Sequence, residues 1–185
     1  MKDYIPTIFE DVETVVPGSA WEGIPNILKD IITRFNLNTD SALEFGCDKG
    51  YSASALSKYF KKVRTVDTFR GDLNTLTVEQ SIELCKEVAE SLVPFGVEVV
   101  RSSYQDYTKR HYGSLYDLIH IDIIHTFEDT VDCGNWAVQH SNCVIFHDTI
   151  SYPEVMKAVN ILADVYNLDF YNYKESNGLG ILIRQ

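Results

Sequence analysis

At 185 residues, with 45% hydrophobic and 23% charged side chains, the chain has the size and balance of one ordinary globular domain, large enough to bury a core without disulfides or a structural metal. Its net charge of −11 and pI of about 4.8 oppose phosphate backbones and anionic lipid, which argues against nucleic-acid binding and membrane docking. No apolar run approaches the ~20 residues of a membrane helix, and Met1-Lys2-Asp3-Tyr4 lacks the basic start and apolar stretch of a signal peptide. The four cysteines, Cys47, Cys85, Cys133 and Cys143, match neither Cys-x-x-Cys nor a zinc spacing, so the expected setting is cytoplasmic, with reduced thiols mostly in the core. Lys58, Lys61, Lys62 and Arg64 read as a solvated helix end.

With no repeat and no linker, residues 1–185 read as one domain, with 1–20 as an N-terminal arm. Trp21, Ile24, Ile27, Leu28, Ile31, Ile32 and Phe35 recur at helical spacing. Ser41–Phe45 reads as a strand, and Ala53, Leu56, Tyr59 and Phe60 as the face of a second helix. After a strand at Val63–Val66, Thr77-Val78-Glu79-Gln80 has capping-box form and Val78, Ile82, Cys85, Ala89 and Leu92 continue one face. Val97–Val100 and the nearly continuous apolar Tyr116–Ile121 are further strands, the latter patterned for cover on both faces. A helix over Thr126–Gln139, a strand at Cys143–Phe146, a helix begun by Ser151 and Pro153, and a hairpin of Leu168–Tyr173 with Gly180–Ile183 complete the chain. The alternation predicts an α/β fold with a mostly parallel open sheet, whose ligands bind beyond the strand C-terminal ends.

The residues after each strand are therefore the candidates. Glu44-Phe45-Gly46-Cys47-Asp48-Lys49-Gly50-Tyr51-Ser52 follows the first, with Gly-x-x-x-Gly rather than the nicotinamide Gly-x-Gly-x-x-Gly spacing. Gly46 permits a tight turn and Gly50 a helix start close to a ligand, while Glu44 and Asp48 suit a cationic or zwitterionic group and repel a pyrophosphate. Asp67 follows the second strand about twenty residues on, where an acid can accept both hydrogens of a ribose diol. Arg101–Asp106 reads either as an adenine contact or as a plain polar loop. Asp122 and His125 follow the fourth strand, and His147 and Asp148 the fifth; carboxylates with imidazoles hold a divalent cation or move a proton. His120 either shares that direction or is buried; His111 and His140 read as loop residues.

These motifs resemble the class I S-adenosyl-L-methionine (SAM)-dependent methyltransferases. The likeness is to the small branch with Glu-x-Gly-x-x-x-Gly-x-Ser, here Glu44–Ser52, and Asp-x-x-His then His-Asp-Thr, here Asp122–His125 and His147–Thr149, spanning about 41–149. The resemblance implies a Rossmann-like three-layer sandwich whose seven-stranded sheet runs 3-2-1-4-5-7-6, the last strand antiparallel. It implies a SAM site of Glu44, Gly46, Cys47, Gly50, Tyr51, Ser52, Asp67, Thr68, Ser103, Tyr104 and Asp122, with Asp67 on the ribose and Ser103–Gln105 beside adenine. It also implies Asp122, Asp148 and His147 as ligands of Mg2+ or another divalent cation, and Asp122, His125 and His147 as catalytic residues. Relatives carry Gly-Asp or Ala-Asp where this chain has Ile123-Ile124, which removes one acid. The 1–20 arm and Phe69–Asn74 are the segments available as lids.

The implied reaction is O-methyl transfer to a small-molecule acceptor. A cation at Asp122 and Asp148 lowers the acceptor pKa; without one, His125 or His147 is the base. The alternatives are a non-catalytic SAM- or nucleotide-binding module or regulatory subunit, and a nicotinamide-dependent enzyme on a similar sheet. A homodimer is left open.

Overall fold

The computed structural model describes residues 1–16, 18–71 and 75–184. Among them, eight strands form one sheet: β1 Lys2–Asp3, β2 Ser41–Phe45, β3 Lys62–Asp67, β4 Val97–Arg101, β5 Leu118–Ile121, β6 Cys143–His147, β7 Asp169–Tyr173 and β8 Leu179–Ile183. Their order is β1-β7-β8-β6-β5-β2-β3-β4, with β8 antiparallel to both neighbours and the other pairings parallel. Without β1 this is the expected order. The chain winds one way through β2, β3 and β4, then returns beside β2 with β5 and continues the other way, so the switch point opens between the ends of β2 and β5.

Helices α1 Leu28–Arg34, α2 Tyr51–Ser57, α3 Val78–Leu92, α4 Tyr104–Arg110, α5 Phe127–His140 and α6 Pro153–Tyr166 cover the two faces. Strand alternation divides the core accordingly. Ala42 and Ile145 face one layer with Ile27, Leu28, Ile31, Ala53 and Leu56; Leu43, Phe45, Ile119, Val144 and Phe146 face the other with Cys133, Ala137, Val159 and Leu162. Each large side chain so buried contributes about 1.5–3 kcal/mol. Helix starts follow local chemistry. Thr77 and Gln80 form the reciprocal capping box, Thr126 caps α5 through the Asp129 N–H, and Pro153 occupies the first turn of α6. Cys47, Cys133 and Cys143 are buried, all four cysteines are free, and no described helix is long and apolar enough to cross a membrane.

Several expectations need correction. The sheet has eight strands rather than seven, because Lys2 and Asp3 of the supposed arm pair with Tyr171 and Asn172 at the β7 edge. The next residues are clasped by the buried carboxylate of Asp30. It accepts hydrogen bonds from the Tyr4 hydroxyl and from the Thr7 N–H, Thr7 hydroxyl and Ile8 N–H, the last three at 2.9 Å, and pairs with Arg34 at 3.0 Å. On α3 the buried positions are Ser81, Val88 and Leu92, while Val78 and Ile82 are exposed. The Ser81 hydroxyl turns that face inward by donating to the Thr68 carbonyl. The polar stretch after β4 starts a helix, α4, capped by Ser103. His140 ends α5 stacked on Trp136 instead of lying in a loop. Of the Phe69–Asn74 segment, 72–74 lie outside the described residues.

Candidate active site

Two adjoining clefts lie beyond the strand ends. The first, about 560 Å³, is walled by Gly46, Asp67, Thr68, Phe69, Ser103, Tyr104, Gln105, Asp122 and Ile123 among others. The second, about 400 Å³, is walled by Cys47, Lys49, Tyr51, Ser52, His125, His147 and Asp148, with Val16 and residues 18–21 across it. Gly46, Asp48, Asp67, Asp122 and Ile123 border both.

Gly46 makes this junction. A Cβ there would sit 1.8 Å from the Asp122 carbonyl oxygen, and its φ of +92° favours glycine, so the β2 and β5 ends approach closely only without a side chain. Asp67 shapes the turn that follows. Its Oδ2 accepts the N–H groups of Cys47 at 2.7 Å and Asp48 at 3.1 Å, and its Oδ1 accepts the Phe69 N–H at 2.6 Å. Tyr104, at the start of α4, donates its hydroxyl to Asp129 at 2.9 Å and presents its ring beside the first cleft.

Two predicted cofactor residues lie elsewhere. Glu44 is fully buried below the clefts, where it accepts from the Thr65 hydroxyl at 2.6 Å and meets His120 Nδ1 at 2.9 Å. His120 is likewise buried, packed 4.9 Å from the Trp21 ring. A Cβ on Gly50 would face the Leu92 side chain at 2.9 Å, so its closeness serves packing of α2 against α3.

The fourth and fifth strand ends do converge. His125 Nε2 lies 2.7 Å from Asp148 Oδ2 and 3.6 Å from Asp122 Oδ1. His147 Nδ1 lies 3.2 Å from Asp122 Oδ2 and 3.4 Å from Asp148 Oδ2. Burial works against ionisation of Asp122, but the two imidazoles outweigh it and hold the carboxyl well below the usual carboxylate range. Burial works to lower the His125 pKa, yet Asp122 and Asp148 outweigh it and push the value up to about 9. His147 is raised by the same balance.

The donor set also fits a cation. Asp122, His125 and Asp148 offer one ligand atom each within 4.8 Å of one another. His125 Nε2 and His147 Nδ1 are buried without completing a hydrogen bond, although carboxylate oxygens lie close by. Oxygen and imidazole donors suit Mg2+ or Mn2+. This grouping has His125 where the expected triad of Asp122, Asp148 and His147 has His147, whose Nδ1 also faces both carboxylates. His147 Nε2 donates to the Ser176 carbonyl at 3.1 Å, which fixes its ring with Nδ1 toward the carboxylates.

Both segments expected as lids border the clefts, and Tyr152 is a neighbour that the sequence did not single out. Residues 16 and 18–21 cross the second cleft, Phe69 lines the first, and Tyr152 stacks on His125 at 3.9 Å with a 10° interplanar angle. Tyr152 lies four residues beyond Asp148, at the start of α6, where an aromatic residue carries no titratable signal near neutral pH.

No family model and no curated protein matches the chain. Solved structures do. SAM-bound CalS10, an amino pentose methyltransferase from Micromonospora echinaspora, superposes with a TM-score of 0.67 at 10% identity, over 91% of this chain and 93% of that one. The chain has the fold of a methyltransferase. The O-methyltransferase NovP gives 0.66 at 16% identity, over 89% and 78% of the two chains. The O-methyltransferase from Bacillus cereus in complex with SAH gives 0.62 at 13% identity, over 92% and 84%.

Proposed function

We propose that the chain is a SAM-dependent O-methyltransferase for a small-molecule hydroxyl, with a divalent cation held by Asp122, His125 and Asp148. The observation that carries this is the cluster itself: two carboxylates and two imidazoles at a cleft shared with the Gly46–Asp67 turn. The fold shared with SAM- and SAH-bound methyltransferases supports the choice of donor.

On this reading the first cleft receives the adenosine part of the donor. Asp67 accepts from one ribose hydroxyl with the Oδ1 lone pair left free by the N–H groups of Cys47, Asp48 and Phe69. Thr68, Ser103 and Tyr104 border the base, and Asp48, at the boundary of both clefts, is the carboxylate for the amino group. Cys47, Tyr51 and Ser52 border the methionine end. SAM supplies an electrophilic methyl group, and a divalent cation, when bound, supplies the Lewis acidity that lowers the pKa of the acceptor hydroxyl. Val16 and residues 18–21 form one wall of the second cleft. With His125 given to the ligand set, His147 Nδ1 is the ring nitrogen that takes the hydroxyl proton, because Nε2 is committed to Ser176. Most of the rate then comes from holding donor and acceptor in line.

The test is transfer of a radiolabelled methyl from SAM to a panel of sugar and phenol hydroxyls, with Mg2+ or with chelator. Label transfer that is lost with chelator and in Asp148→Asn supports the reading. Absence of SAM and SAH binding at millimolar ligand rejects it, and binding without transfer to any acceptor favours the non-catalytic module.

A further inference from the structure

The β7–β8 connection, Ser176-Asn177-Gly178, has three successive residues in the left-handed region, with φ of 52°, 64° and 95°. For the two non-glycine residues this is uphill by about 1–2 kcal/mol each, so surrounding contacts must hold the turn in place. Those contacts lead to the candidate site. The Asn177 carbonyl accepts the N–H groups of Ile150 at 2.9 Å and Ser151 at 3.1 Å, in the loop that leaves β6 through Asp148. Gly178 packs so tightly that a Cβ would meet the Ile150 nitrogen and Thr149 Oγ1, each at 2.6 Å. Asp148 itself has a φ of 62°, so the ligating carboxylate springs from a strained position that this turn braces.

Ser176 faces two ways. Its carbonyl accepts from His147 Nε2, which leaves Nδ1 as the nitrogen turned toward Asp122 and Asp148. Its hydroxyl donates to the carbonyl of Glu22, next to Trp21 in the segment that crosses the second cleft. We propose that the Ser176–Gly178 turn is a positioning element that sets His147 against the carboxylate pair and couples it to the segment roofing the second cleft, with Ser176 the shared residue. The proposal rests on the functional reading above. A ligand seated against Trp21 bears on Glu22, hence on Ser176, hence on the histidine that contacts both carboxylates. Occupation of the cation site and of the SAM site then favour each other, and the coupling must be reciprocal.

The test is calorimetric titration with SAH, which lacks the sulfonium charge that would repel a cation, in the presence and absence of Mn2+. Wild type and Ser176→Gly are compared; glycine suits the left-handed φ, keeps the carbonyl and removes only the hydroxyl link. Mn2+ is expected to tighten SAH binding by about fivefold or more in wild type and by less than about twofold in the variant. Gly178→Ala, which displaces the brace, is expected to weaken Mn2+ binding by about tenfold or more; the Ser176→Gly comparison stands whether or not that variant folds. Equal coupling in wild type and Ser176→Gly, or wild type that binds both ligands without coupling, overturns the proposal alone. Wild type that binds neither ligand overturns the functional reading, and the proposal with it.

Discussion

Asp30→Asn removes a buried charge without changing side-chain size, and its effect follows from the contacts of the carboxylate. Asp30 accepts from Tyr4, Thr7 and Ile8 and pairs with Arg34, whose guanidinium lies over the Tyr4 ring at 4.4 Å. Breaking a buried ion pair from one side costs about 3–5 kcal/mol. Arg34 is 31% exposed and solvent takes up part of that loss, so the lower end, about 3 kcal/mol, is expected at pH 7. For a chain of this size that lowers Tm by about 6–12 °C. The dependence on pH supplies a second check. Burial works to raise the Asp30 pKa, but the hydrogen bonds from Tyr4, Thr7 and Ile8 outweigh it and lower the value. A group whose folded pKa is depressed stabilises above its unfolded pKa, near 3.9, and loses that contribution as pH falls through the folded value. The gap in Tm between wild type and Asp30→Asn is thus full at pH 6–8, by the same linkage, and narrows on acidification below about pH 4. Thermal melts across this range read both. A Tm within about 2 °C of wild type at pH 7, less than 1 kcal/mol, or a gap that widens in acid, refutes the clasp.

Gly46→Ala is expected to be insoluble or destabilised by more than about 4 kcal/mol, since its Cβ would overlap the Asp122 carbonyl; expression and circular-dichroism melts measure this. Asp67→Ala removes the acceptor for the Cys47, Asp48 and Phe69 N–H groups and the proposed ribose ligand, and SAH affinity should fall at least about 10-fold by calorimetry, from one lost charge-assisted hydrogen bond. Saturating Mn2+ at 100 times its Kd should stabilise wild type by about 2.7 kcal/mol in a thermal shift, and Asp122→Asn and Asp148→Asn should lose that gain. Tyr152→Ala leaves a half-exposed stacking partner missing from His125; turnover should fall while SAH affinity holds, and an unchanged rate would remove Tyr152 from the site.

The strand order came with the family resemblance, and the convergence of Asp122, His125, His147 and Asp148 was legible because β5 and β6 are mostly apolar and these residues fall at or just after their ends. Gly46 and Asp67 were legible through spacing alone. Glu44 was not, because its place in the strand decides which way it points: it alternates with Phe45 and turns inward to Thr65 and His120, facts set by neighbouring strands. The clasp was illegible for a similar reason. Asp30 sits in the first turn of a short helix, where an acid ordinarily improves the helix start, and nothing local reveals that residues 4–8 fold back on it. The orientation of His147 depends on the Ser176 carbonyl, nearly thirty residues away in the chain.

The central claim is that one cleft holds a SAM-type donor against a cation bound by Asp122, His125 and Asp148. A crystal structure grown with SAH and Mn2+, with anomalous data at the manganese edge, tests it most directly. The account predicts an anomalous peak bonded to Asp122, His125 and Asp148, and SAH density along Gly46–Ser52 with its ribose on Asp67. SAH density elsewhere, or an ordered SAH beside a cluster with no anomalous peak, contradicts it.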